Sequence, residues 1–197
     1  YIGGISYEAG NGLALSPNGD IYLCGGTSST TLGFNLAGQK NAYQGGTGDG
    51  FLLRISADGT QVLNGTYIGT TAYDQAYFVQ VDKRGNPFVT GQSAGVFDIT
   101  PPIYGNAEGG QFIMKFLPDL SNFTRSTVFG AGGVKPQLSP SAFLVDECER
   151  IFFSGWGGET NDNVVGKPHG NTRRLETTPD AWQRTTDGSD FYLAVFS

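Results

Sequence analysis

Three separated segments of the chain alternate apolar and polar residues with a period of two. Each segment opens on an aromatic residue and keeps one side apolar: Phe51, Leu53 and Ile55; Phe112, Met114 and Phe116; Phe191, Leu193 and Val195. Such alternation is typical of a β-strand, whose successive side chains point to opposite faces. We therefore predict three equivalent strands, with Phe51, Phe112 and Phe191 in equivalent surroundings.

A second pattern, an apolar stretch, a turn and another apolar stretch ending in glycine, also occurs three times. It covers residues 13–25, 79–91 and 144–155, with Gly19 and Gly85 in the first two turns. Glycine tolerates the positive φ that tight hairpin turns require. Both patterns together predict repeat units 1–66, 67–127 and 128–197, each of four short antiparallel strands. That organisation is typical of an all-β fold, a β-propeller with about three blades of a larger, incomplete propeller.

Composition supports a turn-rich β fold and narrows the range of partners. The chain has 197 residues, with 31 Gly and 13% aromatic residues, and no segment reads as a capped amphipathic helix. Its net charge of −6 does not provide the basic surface that nucleic acids or anionic lipids attract. No apolar run approaches the ~20 residues of a membrane-spanning helix. We therefore expect neither a nucleic-acid partner nor a membrane span.

The two ends of the chain align with the middle of a repeat unit. Tyr1-Ile2-Gly3 aligns with Tyr67-Ile68-Gly69, the predicted last strand of a unit, and Val195 ends a third strand. Three blades alone would expose large aromatic faces. We expect those faces to be covered by the remainder of a longer chain or by a docked protein partner.

Several motifs resemble the SBBP-type β-propeller repeat. They are Tyr1-Ile2-Gly3-Gly4, the Gly85-Asn86 turn, Ala42-Tyr43-Gln44 with Ala181-Trp182-Gln183, and Gly48-Asp49-Gly50-Phe51. The third unit is similar to a subgroup in large secreted surface proteins of Bacteroidetes, which often end in a gliding-motility-associated, type IX secretion sorting domain. The resemblance implies a β-propeller and a secreted or cell-surface location. The second unit departs from it, because it has Pro101-Pro102 where the aromatic-Gln motif is expected.

The variable loop between the second and third strands of each unit is the predicted place for binding residues, since loops on a rigid scaffold commonly carry function. The candidate ligand-binding residues are Trp156, Asp162, His169 and Asp187. His169 is the single histidine, and no second histidine or spaced cysteine pair would complete a zinc site. A solvated loop histidine is therefore the simpler interpretation. Trp182 aligns with Tyr43, which favours a place between blades.

Acidic loop residues leave calcium binding open as a second possibility. Asn161-Asp162-Asn163, Asp187-Gly188-Ser189-Asp190 and Gly48-Asp49-Gly50 offer oxygen ligands, although none matches a complete calcium-loop pattern. Asp and Asn that hydrogen-bond to turn backbone explain the same residues.

No nucleophile with a base, catalytic carboxylate pair or phosphate-binding glycine loop is recognisable. We therefore expect a non-enzymatic extracellular scaffold that presents loops to a protein or glycan. The alternative is a carbohydrate-binding or carbohydrate-active propeller, in which Trp156 and acidic loop residues would face a common groove.

Overall fold

The chain folds into three antiparallel β-sheets. A computed structural model describes residues 1–34, 36–157 and 170–197. Within these ranges there are strands, turns and loops but no α-helix, which confirms the all-β prediction. The same ranges therefore contain no helix long and apolar enough to cross a bilayer.

The strands follow one another in chain order within each sheet. The first sheet contains β1 (Glu8–Leu15), β2 (Ile21–Thr27), β3 (Asp49–Ile55) and β4 (Val62–Ile68). The second contains β5 (Asp74–Val81), β6 (Pro87–Ser93), β7 (Gln111–Phe116) and β8 (Phe123–Phe129). The third contains β9 (Ser139–Val145), β10 (Ile151–Trp156) and β11 (Phe191–Phe196). Each pair of neighbouring strands is joined by a tight turn or by the long loop that connects the second strand to the third.

The third sheet has one strand fewer than the first two, as expected from the alignment that places Val195 at the end of a third strand. It has three strands in the described residues, with β11 at its edge and only Ser197 after it. Tyr1 and Ile2, predicted to continue a last strand, lie outside every strand and are exposed. A strand needs a hydrogen-bonded neighbour, and residues 1–3 pair with no described strand, although β11 has an unpaired edge. The predicted unit boundaries also fall inside strands, because Tyr67 belongs to β4 and Val128 to β8.

The sheets pack face to face in chain order through two apolar cores. The core between the first and second sheets contains Cys24 and Leu52 from one side and Val89, Phe112 and Met114 from the other. In the core between the second and third sheets, side chains of the second sheet pack against side chains of the third. Those of the second sheet are Phe88, Ile113 and Phe129, and those of the third are Phe143, Phe153, Tyr192 and Phe196. Each sheet thus covers the sheet before it, and the chain direction sets the direction of stacking.

Register in β11 corrects the predicted equivalence of Phe191 with Phe51 and Phe112. Gly25 pairs with Phe51 and Gly91 with Phe112, but the corresponding Gly155 pairs with Tyr192. Phe191 is therefore one position out of phase, and a shift of one residue turns a side chain to the opposite face. Phe51 is 2% and Phe112 0% exposed, whereas Phe191 is 75% exposed.

The long loops of the first two sheets fold back along the outermost strand of their own sheet. In the first loop (residues 28–48), the Gly38 amide donates to Gly65 of β4, 3.0 Å away. In the second loop (residues 94–110), the Asn106 amide donates to Val128 of β8 at 2.7 Å. These contacts cover strand edges that would otherwise expose unpaired backbone groups.

A cation on the third strand links each of the first two sheets to the next one. The Arg54 guanidinium contacts Asp20 of its own sheet at 2.5 Å and donates to the Pro118 carbonyl of the second sheet at 3.2 Å. The Lys115 ammonium lies 3.3 Å from Asp82 and 2.7 Å from Glu149 of the third sheet. Both cations lie beside the apolar cores and bridge the turns of adjacent sheets.

Candidate functional site

Two features of the described residues stand out as candidate sites: an uncovered apolar face on the third sheet, and a pair of buried carboxylates where the first sheet meets the second. The first is a candidate for macromolecular contact and the second for holding an ion or a proton.

The uncovered face of the third sheet lies opposite its packed core. By strand alternation it presents Leu144 of β9, Phe152 and Trp156 of β10, and Phe191, Leu193 and Val195 of β11. Phe191, Leu193, Val195 and Leu144 are exposed, while Phe152 and Trp156 are partly buried. On the first two sheets the equivalent face is covered by the next sheet.

The sequence candidates Trp156 and Asp187 come to the same end of this sheet. Trp156 ends β10 and pairs with Phe191. Asp187 lies in the turn that leads into β11, exposed, with its Oδ1 accepting a hydrogen bond from the Ser189 amide at 2.8 Å. The Gly157 amide donates to Asp190 at 3.4 Å and ties the two segments together. Asp162 and His169, the other two candidates, lie outside the described residues.

Trp182 does not lie between sheets as its alignment with Tyr43 suggested. Its relative exposure is 104%, whereas Tyr43 packs edge-on against Tyr67 with ring centroids 6.1 Å apart. The two aromatic-Gln motifs therefore have different surroundings. Tyr43 belongs to a loop that folds onto the apolar face of its sheet, where Leu32 and Leu36 are buried beside it.

The buried carboxylates are those of Asp49, the first residue of β3, and Asp74, the first residue of β5. They are 0% and 1% exposed. The Asp74 amide donates to the Gly48 carbonyl at 2.8 Å, which joins the starts of the two strands across the sheet interface. In each carboxylate Oδ2 accepts hydrogen bonds, and in each Oδ1 has no hydrogen-bond partner.

The environment of this pair disfavours negative charge. Burial raises the pKa of Asp49 to about 7; the Gln44 amide opposes that rise and the charge of Asp74 adds to it. Burial also raises the pKa of Asp74, against the opposite effect of the nearby Ser93 hydroxyl and of the hydrogen bonds from Thr70. Lys40 is the nearby cation; its ammonium donates to the Gly69 carbonyl at 2.6 Å. It forms no ion pair within 4.0 Å of either carboxylate among the described residues.

Sequence reasoning noticed Asp49 as part of Gly48-Asp49-Gly50 but missed Asp74. No local motif marks Asp74, and it approaches Asp49 only because the second sheet packs on the first. The described residues contain no group of three or more His, Cys, Asp or Glu side chains placed to hold a metal. Any ion at this pair would complete its coordination with hydroxyl, carbonyl or water oxygens.

A separate cavity of about 170 Å³ lies between the turns of the first and second sheets. Tyr22, Arg54 and Pro118 line it, with Lys83 and Arg84 at its exposed side. The Arg54 donors are already engaged by Asp20 and the Pro118 carbonyl, and the Tyr22 hydroxyl donates to that carbonyl at 2.6 Å. Its buried polar groups thus serve the sheet interface.

Comparison with known proteins adds no family assignment. No protein-family model matches the chain, and no curated protein shows significant similarity to it.

Proposed function

We propose that the chain is part of a β-propeller that acts as a non-enzymatic extracellular scaffold, a segment of a large secreted or cell-surface protein that contacts a protein or glycan partner. The repeated motifs similar to SBBP-type repeats suggest the propeller and the location. Face-to-face stacking of sheets in chain order is the arrangement that propeller blades adopt.

The uncovered face of the third sheet is the observation that carries this proposal. Leu193 is 64% and Val195 55% exposed, next to Phe191 at 75%. Contiguous apolar surface of this kind is typical of an interaction site, since water solvates it poorly. The equivalent faces of the other two sheets are cores, so the expected occupant is another protein surface, from the same polypeptide or from a partner.

The loops contribute unequally to binding in this proposal. The first and second loops bury apolar side chains, Leu32, Leu36 and Phe97, and pair with their own sheets. The third loop, residues 157–190, carries the exposed Trp182. We therefore assign partner contact to the third loop and the open face.

Carbohydrate binding is the second candidate, and the positions of the tryptophans favour keeping it. Neither Trp156 nor Trp182 is buried, and Trp156 lies at the same end of the sheet as Asp187. An exposed indole next to hydrogen-bonding groups can stack on a sugar ring.

A charged substitution on the open face tests the scaffold proposal. The wild-type chain should bind the hydrophobic dye ANS and self-associate in light scattering. Leu193→Lys should reduce both signals, whereas Leu63→Lys, at a leucine that is 47% exposed on β4, should reduce neither. Absence of dye binding and association in the wild type would contradict an exposed docking face.

A glycan array separates the two candidates. Saturable binding of a defined glycan that is lost in Trp156→Ala or Asp187→Asn would favour carbohydrate recognition. Binding that survives both substitutions but is lost in Trp182→Ala would move the sugar contact to the third loop. An array without binding would favour a protein partner.

A further inference from the structure

We propose that Asp49 and Asp74 hold a hard divalent cation, with calcium the best match, where the first sheet meets the second. The proposal rests on the placement of the two carboxylates and is independent of the open face on the third sheet.

Both carboxylates contact the Gly69–Thr70 segment, which leads from β4 to β5. Asp49 Oδ1 faces Gly69 so closely that a Cβ built on that glycine would lie 2.3 Å from it. Asp74 Oδ2 accepts from the Thr70 amide at 2.6 Å and from its hydroxyl at 2.8 Å. Only a glycine at position 69 leaves space beside Asp49 Oδ1, and this same segment holds Asp74 in place.

Each carboxylate is buried and has one oxygen without a hydrogen-bond partner. The described residues contain four buried side-chain oxygens that lack a hydrogen-bond partner, and Asp49 Oδ1 and Asp74 Oδ1 are two of them. A buried polar atom left unpaired costs about 1–3 kcal/mol, and more when it is charged. Buried carboxylates in proteins bind a cation or take up a proton, so two such oxygens at one junction make it a candidate site for a cation.

Lys40 is a nearby cation but forms no ion pair with either carboxylate among the described residues. Its ammonium is held by the Gly69 carbonyl rather than by either carboxylate. Burial raises the pKa of both Asp49 and Asp74, and it outweighs the opposite effect of the Lys40 charge. A divalent cation would balance the negative charge of the two carboxylates, and the Lys40 ammonium would compete with it electrostatically.

The available donors select the class of ion. Carboxylate, hydroxyl and carbonyl oxygens surround the junction, from Asp49, Asp74, Thr70 and Gly69. Oxygen donors of this kind suit calcium, which accepts an irregular arrangement and completes it with water, better than they suit zinc or copper.

Terbium luminescence is the direct test, because Tb³⁺ replaces calcium at oxygen sites and is excited by nearby tyrosines. Tyr43 and Tyr67 pack on each other near Asp49. Burial raises the pKa of both phenols, and the negative charge of Asp49 raises it further. The wild-type chain should show saturable Tb³⁺ emission that added Ca²⁺ displaces. Asp49→Asn and Asp74→Asn should each weaken the apparent affinity about tenfold or more.

Thermal unfolding distinguishes an ion site from a merely structural pair. Calcium should raise the wild-type Tm once its free concentration exceeds the dissociation constant, with a further rise for each tenfold increase, and leave the Tm of Asp49→Asn unchanged. Without calcium, Asp49→Asn should be at least as stable as the wild type, since the amide keeps the shape and removes a buried charge. Asp58→Asn, in an exposed turn, is the matched control and should respond to calcium like the wild type.

Lys40→Gln provides the variant that should gain function, since removal of the competing ammonium should tighten Tb³⁺ binding. The proposal is wrong if Tb³⁺ emission is absent, or if it persists unchanged in both aspartate variants. A wild-type Tm that millimolar calcium does not raise would likewise overturn it.

Discussion

Truncation of Phe112 tests the packing between the first two sheets. Compared with the truncation of Phe191, it also tests the register of β11 in the third sheet. Phe112 is fully buried and stacks on Phe97 with ring centroids 4.8 Å apart. Its ring also lies against Gly91, which has no side chain to fill the space that Phe112→Ala would leave. A buried Phe→Ala substitution costs about 3–5 kcal/mol. We expect about 4 kcal/mol here, because neither sheet can close the cavity without losing strand pairing.

Phe191→Ala is the matched control, since the repeated sequence treats Phe191 as the equivalent of Phe112. At 75% exposure its truncation should change the free energy of unfolding by about 0.5 kcal/mol or less. Tyr192→Ala should fall between the two, because Tyr192 packs in the core of the third sheet and its hydroxyl donates to the Glu176 carbonyl at 2.7 Å.

Urea unfolding followed by far-UV circular dichroism measures all three variants. The midpoint should fall strongly for Phe112→Ala, moderately for Tyr192→Ala and hardly for Phe191→Ala, with the m-value unchanged. A loss for Phe191→Ala as large as that for Phe112→Ala would place Phe191 in a core. The register assigned to β11 would then be wrong, and the face described as open would be the packed one.

Three further predictions concern the links between sheets and strands. Lys115→Met should cost about 2 kcal/mol in urea unfolding because it leaves the buried Asp82 without its cation, whereas Arg150→Met, in an exposed pair with Asp146, should leave the midpoint unchanged. Burial opposes ionisation of Asp82, but hydrogen bonds from Asn86 and Arg84 and the Lys115 ammonium outweigh burial and lower the pKa of Asp82. The stability that Asp82 contributes should therefore be complete above the unfolded-state pKa of about 3.9 and be lost as the pH falls toward the lower folded-state pKa. When Tm is measured over a series of acidic pH values, Asp82→Asn should lose less stability on acidification than the wild type. An equal dependence of Tm on pH in the two proteins would contradict this role of Asp82. Gly91→Ala should destabilise the chain by about 2 kcal/mol or more, since the new Cβ would lie 2.1 Å from the Gln75 carbonyl oxygen, and a urea midpoint near that of the wild type would show that β5 and β6 can separate there.

The strands were predictable because alternation survives in local sequence, and every segment predicted from it is a strand. The predicted register of β11 was wrong, although the sequence carries a signal for the correct one. Aligning Asp190 with Asp49, rather than Phe191 with Phe51, would have matched Tyr192 to Phe51 as the strand pairing does. The aromatic run Phe191-Tyr192 hid this offset because either residue fits an apolar strand position.

The carboxylate pair could not be predicted from local sequence, for a different physical reason. Asp49 and Asp74 belong to different sheets, and their proximity depends on how those sheets pack. Turn-forming acidic residues such as Asp58 and Asp187 are indistinguishable from Asp49 in a sequence. What separates them is burial, which only the packed structure supplies.

The two outer faces of the stack are chemically different, and this difference gives the stack a direction. On the first sheet the first loop covers Phe51 and Leu53 with Leu32 and Leu36, and Leu13 and Leu15 of β1 stay exposed on that face. On the third sheet no described segment covers the corresponding outward side. Contacts between unlike faces can continue in one direction without closing on themselves. The partner proposed above would therefore dock on the third sheet.

Such a partner would also meet a different surface from the one buried inside the stack. The strand pairing places Val195 where Arg54 and Lys115 stand in the first two sheets. Those two cations bridge to the Pro118 carbonyl and to Glu149 of the following sheet. An occupant of the third face would find an aliphatic side chain there, so an acidic group at that position would be buried without a counter-ion. We therefore expect the partner surface opposite Val195 to be apolar. It would then differ from the polar turns at Pro118 and Glu149, which Arg54 and Lys115 contact inside the stack.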